Sequence, residues 1–404
     1  MTANKLVIGP DLSFESQAPN LEHLDTFGHG THMAGIIAGR DGGSTPSTYA
    51  TDNTRFLGIA PGSRIVSLKL ADAQGNTDVS QVIAAIDWVV AHSRDAGLNI
   101  RVMNLSFGTD SLQSYQLDPL AHAAEVAWNK GIVVVASAGN SAETRTGLAN
   151  PAYAPAVLAV GAVNTQGTAD RSDDRVPAFS QRGAVAEGKR APDLVAPGTS
   201  IVSLRATGSF VDIKYGATGV FRERFFKGSG TSQSAAVVSG AAALLISQRP
   251  WLSPDQVKDI LRRSAQTVPE ASVDAQGAGS LDLTAAYATS SRSVTAAKVH
   301  AGGGSLDQAR GRFKVKKNGV VLTGELDIFG QPVATGVDTA PTPGTDILTG
   351  ATWAGGAWTG SPLLGATWAG ATWAGNSWAG ATWAGATWAD AQWANDLWSS
   401  AGWE

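Results

Sequence analysis

Hydrophobic positions alternate between two textures through the first three quarters of the chain. Short β-branched runs, RIVSLKL (64–70), IRVMNLSFG (100–108), IVVVASAGN (132–140) and VLAVGAV (157–163), are separated by stretches with helical periodicity. The helical stretches include VSQVIAAIDWVVAHSRDAG (79–97) and LAHAAEVAWNKG (120–131). This rhythm predicts βαβα units. Within IVVVA and VLAVGAV the apolar residues are consecutive, as in strands covered by helices on both faces, so the expected class is α/β with a doubly wound, mostly parallel sheet. Ligands of such sheets sit beyond the carboxyl ends of the strands. Here those ends read NLSFG and SAGN, and GTSQS stands at the start of a helix.

The texture changes near residue 290. We expect a first domain over 1–290 and a linker with a small β-rich appendage over 291–350, including a hairpin in KVKKNGVVLTGE (314–325). A repeat tail follows over 351–404. Its tryptophans recur every fifth residue from Trp353 to Trp403, with Leu363 in the one vacant phase. Five residues advance an α-helix by about 500°, which spirals the indoles round it, and an odd period sends them to opposite faces of a strand. The period therefore suits an irregular array or a solenoid. A self-packed spacer, a platform for carbohydrate or wall polymer, and a membrane-interface anchor are the three roles open to it.

Composition excludes some classes. The formal charge of −4, with both signs interspersed and no run of five like charges, gives no footprint for nucleic acid. The chain has no cysteine, which rules out disulfides and thiolate metal sites. No secretion signal or membrane-spanning stretch is expected in the sequence as written.

Candidate chemistry begins at FGHGTHMAGIIAG (27–39), where His29 and His32 stand three apart. Zincin helices space the pair by four with a glutamate between, so no metal site is expected here. Ser232, in GSGTSQSAAVVSGAAALLISQ (228–248), reads either as a helix cap or as a nucleophile beside amide donors at a helix N-terminus. Asn140 reads either as a turn residue or as a donor to a developing oxyanion.

Together these stretches resemble the subtilisin-like serine proteases, the subtilases. GHGTHMAGIIAG is similar to the family's histidine motif, GTSQSAAVVSG to its serine motif and ASAGN to its oxyanion segment, in the family's chain order. NLSFG, NPAYAPAVLAVGAVN and APDLVAPG agree, and the resemblance covers roughly residues 7–290. It implies a subtilisin-like fold, polypeptide substrates and a serine endopeptidase activity, with His29 as general base, Ser232 as nucleophile and Asn140 as oxyanion donor. Ser106, Phe107 and Gly108 would align the substrate strand, and Ala138 and Gly139 would lie near the side chain N-terminal to the scissile bond. His32 becomes a structural neighbour. The resemblance also implies a secreted or cell-surface monomer and structural calcium, although no D-x-D-x-D-G run nominates a site; no other cofactor is expected.

The family's aspartate, on a first strand reading D-[ST]-G, has no counterpart: Asp11 lies in GPDLSF and Asp25 in LDTFGH. We therefore expect a subtilase domain truncated at its N-terminus, with turnover lowered by about 10⁴ and with unpaired backbone groups costing about 1–3 kcal/mol each along the strands that would flank the missing one. A clipped copy of an active secreted protease is the favoured explanation. The alternative is a non-catalytic relative that binds a surface or wall through its tryptophan repeats.

Overall fold

The computed structural model describes residues 5–16, 18–317, 320–328 and 333, together with short backbone pairings at 352–353 and 356–357. The tryptophan repeats beyond these pairings, and the roles expected of them, lie outside the described residues. In chain order the elements are β1 (Leu6–Asp11), α1 (His29–Ala38), β2 (Ile65–Lys69), α2 (Val79–His92), β3 (Val102–Leu105), α3 (Pro119–Asn129), β4 (Val133–Ser137), β5 (Leu158–Val163), β6 (Leu194–Pro197) and β7 (Ile201–Leu204). After them come α4 (Phe210–Gly219), β8 (Val220–Phe221), β9 (Phe225–Gly228), α5 (Thr231–Gln248), α6 (Pro254–Ser264), α7 (Val273–Gln276), α8 (Leu283–Ala288) and α9 (Leu306–Arg310). The expected hairpin is present as β10 (Lys316–Lys317) paired antiparallel with β11 (Val320–Val321).

The central sheet has the order β3-β4-β5-β6, and every pairing in it is parallel. All residues of β4 and β5 are buried, so the consecutive apolar runs do face helices on both sides. The small-residue helix α5 lies against β3, β4, β5 and β6, while α3 packs on β4 and on α2. Helix α1 packs on α5. Close approach by the loop after α1 requires Gly240 within α5, since a Cβ there would stand 2.6 Å from the Ile59 Cβ.

The parallel arrangement is in two pieces. β1 and β2 pair parallel with each other, and neither is hydrogen-bonded to the four-stranded sheet. The succession β2-α2-β3 has the form of a parallel crossover, yet β2 and β3 are not neighbours in a sheet. β1 consequently shows Leu6 and Ile8, 41% and 50% exposed, where an interior strand would bury them.

Packing continues past residue 290. Leu306 and Ala309 of α9 belong to the main core, and Thr109 Oγ1 donates to the Ala309 carbonyl at 2.5 Å. Arg310 is fully buried, with its guanidinium on Asp78, the residue that caps α2. This anchor brings the chain after α9 back over the carboxyl ends of β3 and β4.

Candidate active site

Two carboxyl strand ends and two helix N-termini meet at one cleft. The chain leaving β3 brings Phe107 and Gly108, the chain leaving β4 brings Gly139 and Asn140, α1 brings His29 and α5 brings Ser232. The cleft is open to solvent. His29, Ser232 and Asn140, more than two hundred positions apart at the extremes, share its lining.

Local capping fixes where each group stands. Asp25 accepts the Gly28 N–H at 2.7 Å and the Thr31 N–H at 2.5 Å, satisfying donors at the start of α1 and setting His29 as its first residue. Gly28 is left-handed at φ 104°, and a Cβ on it would stand 2.4 Å from Ser209 Oγ. Only glycine fits that entry into the helix. Asp11, the other early carboxylate, accepts from Ser13 N at 2.9 Å, Ser13 Oγ at 2.6 Å and His23 N at 2.9 Å and lies 3.7 Å from Lys69 Nζ, so it braces the chain leaving β1.

Helix α5 is tied to the sheet on both sides of its first turn. Gly230 N donates to the Gly198 carbonyl at 2.7 Å, and Ser234 Oγ donates to the Ala196 carbonyl at 2.9 Å. Ser106 and Ser232 exchange bonds: Ser106 Oγ donates to the Ser232 carbonyl at 2.9 Å, and Ser232 Oγ donates to the Ser106 carbonyl at 3.2 Å. Asn104 supports this pair by donating to Ser106 Oγ at 2.8 Å and accepting from Ser239 Oγ at 3.0 Å.

Asn140 is held by its carbonyl end. Its Oδ1 accepts from Thr231 N and from Thr231 Oγ1, both at 2.9 Å, and Gly139 N donates to Thr231 Oγ1 at 3.1 Å. With the oxygen committed, Nδ2 is the end available to donate. The Ser232 N–H, at the second position of α5, has no acceptor within the helix. Two donors beside a serine hydroxyl can stabilise an oxyanion formed on that hydroxyl's attack.

The electrostatics favour neutral imidazoles. Burial pushes the His29 pKa down to about 4 even though the Asp25 charge pulls it up, and burial with the neighbouring His29 pushes His32 down to about 3. His32 is 1% exposed, beneath the cleft on the inner side of α1, where its backbone carbonyl accepts from Ser203 Oγ at 2.7 Å.

Of the residues expected near the substrate, Phe107, Gly108 and Gly139 line the cleft. Ser106 lies behind it as the partner of Ser232, and Ala138 is fully buried, its N–H on the Val160 carbonyl at 2.8 Å. Arg145, Gln181, Arg312 and Phe313 also line the cleft and went unrecognised in the sequence. Gln181 is explained by Gly139, whose missing Cβ leaves room for its amide. Among the described residues no three His, Asp or Glu side chains group to hold a metal ion. No described helix is long and apolar enough to cross a membrane.

Comparison with known proteins agrees with this architecture. A profile of the Subtilase family matches residues 13–279, about two thirds of the chain. Serine protease AprX of Bacillus subtilis (strain 168) is 35% identical over 264 residues, which are 65% of this chain and 58% of AprX. Subtilisin DY of Bacillus licheniformis is 31% identical over 245 residues, 60% of this chain and 72% of that protein. The crystal structure of fervidolysin from Fervidobacterium pennivorans, described as a keratinolytic enzyme related to subtilisin, superposes with a TM-score of 0.51 at 25% identity, covering 71% of this chain and 43% of that one. The parallel sheet, the long helix behind Ser232 and the extent of the profile match together make this chain a member of the subtilase family.

Proposed function

We propose that this chain is a serine endopeptidase that hydrolyses peptide bonds through an acyl-enzyme on Ser232. The Ser232 oxygen bonds to the scissile carbonyl carbon as its proton passes to His29. The carbonyl oxygen, now an oxyanion, is held by Asn140 Nδ2 and the Ser232 N–H. The C–N bond breaks as His29 returns the proton to the leaving amine, and water repeats the sequence to release the acid. The observation that carries this reading is the fixed Asn140 amide beside Ser232 in the cleft that His29 also lines.

Polypeptide substrates and a secreted or cell-surface site of action belong to the same reading.

Incubation with a denatured protein substrate, followed by mass spectrometry of the products, tests it. Internal peptide cleavage that disappears in Ser232→Ala and His29→Ala is expected. Cleavage that survives Ser232→Ala, or folded protein that never cleaves over days, overturns it.

A further inference from the structure

The cleft carries charge of one sign. Arg145 and Arg312 line it, and no aspartate or glutamate does among the described residues. Arg145 comes from the loop that follows Asn140, and Arg312 from the segment after α9. Both converge on Asp110, whose side chain is 4% exposed. Asp110 Oδ2 lies 3.3 Å from Arg145 Nη1 and accepts from Arg312 Nε, while Oδ1 accepts the Arg312 backbone N–H at 2.7 Å. Two guanidiniums against one carboxylate leave one positive charge uncompensated.

Position within the cleft follows from two glycines. A Cβ on Gly108 would lie 2.8 Å from the Ala149 Cβ, and one on Gly139 would lie 3.3 Å from it. Ala149 therefore forms the floor between the segments leaving β3 and β4, and Arg145 stands in the loop leading to that floor. Arg312 reaches the same place because Gly311, at φ +58°, passes directly over Asp110; a Cβ there would stand 2.1 Å from Asp110 Oδ1. Phe313, 7% exposed, anchors the segment on its other side.

We propose that Arg145 and Arg312 form a carboxylate-accepting subsite that selects an acidic side chain immediately N-terminal to the scissile bond. The proposal rests on the endopeptidase reading and adds the class of substrate to it. The Arg312 side chain is 52% exposed and spends only its Nε on Asp110, which leaves guanidinium N–H groups for an incoming anion. Burial, and then the adjacent Arg312 charge, lower the Arg145 pKa. A substrate carboxylate relieves that repulsion.

The test separates recognition from chemistry. Binding of peptides differing only in Glu or Gln at that position is measured by fluorescence anisotropy with the Ser232→Ala protein, and hydrolysis of the same peptides with the unaltered protein. Glu is expected to bind ten- to a hundredfold more tightly, the range for hydrogen bonds to a charged group. The ratio should fall with rising ionic strength and collapse in Arg145→Gln/Arg312→Gln, and Arg312→Lys should restore part of it. Equal binding of Glu and Gln, or an acidic preference at another position, overturns the subsite. Glu preference without any hydrolysis upholds the subsite and sinks the endopeptidase reading, whereas hydrolysis indifferent to Glu does the reverse.

Discussion

The seating of the segment after α9 can be tested by replacing Arg310 with methionine. Arg310 and Asp78 are both 0% exposed at their side chains and are joined by Nε to Oδ1 at 2.7 Å and Nη2 to Oδ2 at 3.1 Å. Arg310 also donates to the carbonyls of Gly324, at 2.7 Å, and Leu326. Burial works to raise the Asp78 pKa, and Arg310 overcomes it, holding the carboxyl below its usual range. Methionine fills much of the volume but leaves the Asp78 carboxylate to neutral donors at the start of α2, namely Ser80 N, Ser80 Oγ and the Gln81 N–H. Removing one member of a buried pair costs about 3–5 kcal/mol. For a domain of about 320 residues, with an unfolding entropy of about 0.7 kcal/mol/K, that lowers Tm by roughly 4–8 °C.

The loss should also depend on pH. In the unaltered protein Asp78 titrates below its unfolded value of about 3.9, so its pair contributes stability above that pH and loses it as pH falls further. In Arg310→Met the buried carboxyl titrates above that value and destabilises at neutral pH, an effect relieved on acidification. The gap between the two proteins should therefore narrow from pH 7 towards pH 4. Urea unfolding followed by tryptophan fluorescence measures both quantities, and the double variant Asp78→Leu/Arg310→Met should recover most of the loss. A single-variant change under about 1 kcal/mol, or a gap that widens in acid, would refute the reasoning.

Three further outcomes are expected. Asn140→Ala should lower kcat by about 10²–10³ with little change in KM, because the amide acts on charge that develops only in the transition state; a change confined to KM contradicts the assigned role. His29 must be neutral to accept a proton, so the acid limb of kcat/KM should lie near pH 4 rather than near 6.5, and Asp25→Asn should move it lower still by removing the charge that pulls His29 upward; an inflection at pH 6–7 in the unaltered protein counts against this. Gly28→Ala should destabilise by at least about 1 kcal/mol from its left-handed backbone, with the Ser209 clash added, and slow turnover by shifting the start of α1; unaltered thermal stability excludes it.

What the sequence revealed depended on how local the cause was. The consecutive apolar residues of β4 and β5 identify strands covered on both faces, and the helical periodicity of 79–97 identifies α2. His29, Ser232 and Asn140 were legible because each stands in a short motif at a strand or helix end, where chemistry and local conformation coincide. Ala138 and Ser106 were harder to place, since one residue along a strand exchanges the cleft for the core. Arg145 had no such motif, and Arg312 arrives only because Arg310 is buried against Asp78, more than two hundred residues earlier. The grouping of β1 and β2 apart from the four-stranded sheet was not legible, because strand neighbours are set by contacts distant in the chain.

We take Ser232 to be a nucleophile activated in a cleft shared with His29 and Asn140. A fluorophosphonate probe followed by peptide mapping tests it most directly. One adduct is expected, on Ser232, formed by folded protein and greatly slowed in His29→Ala. An adduct on another residue, or labelling of Ser232 at the same rate without His29, would contradict it.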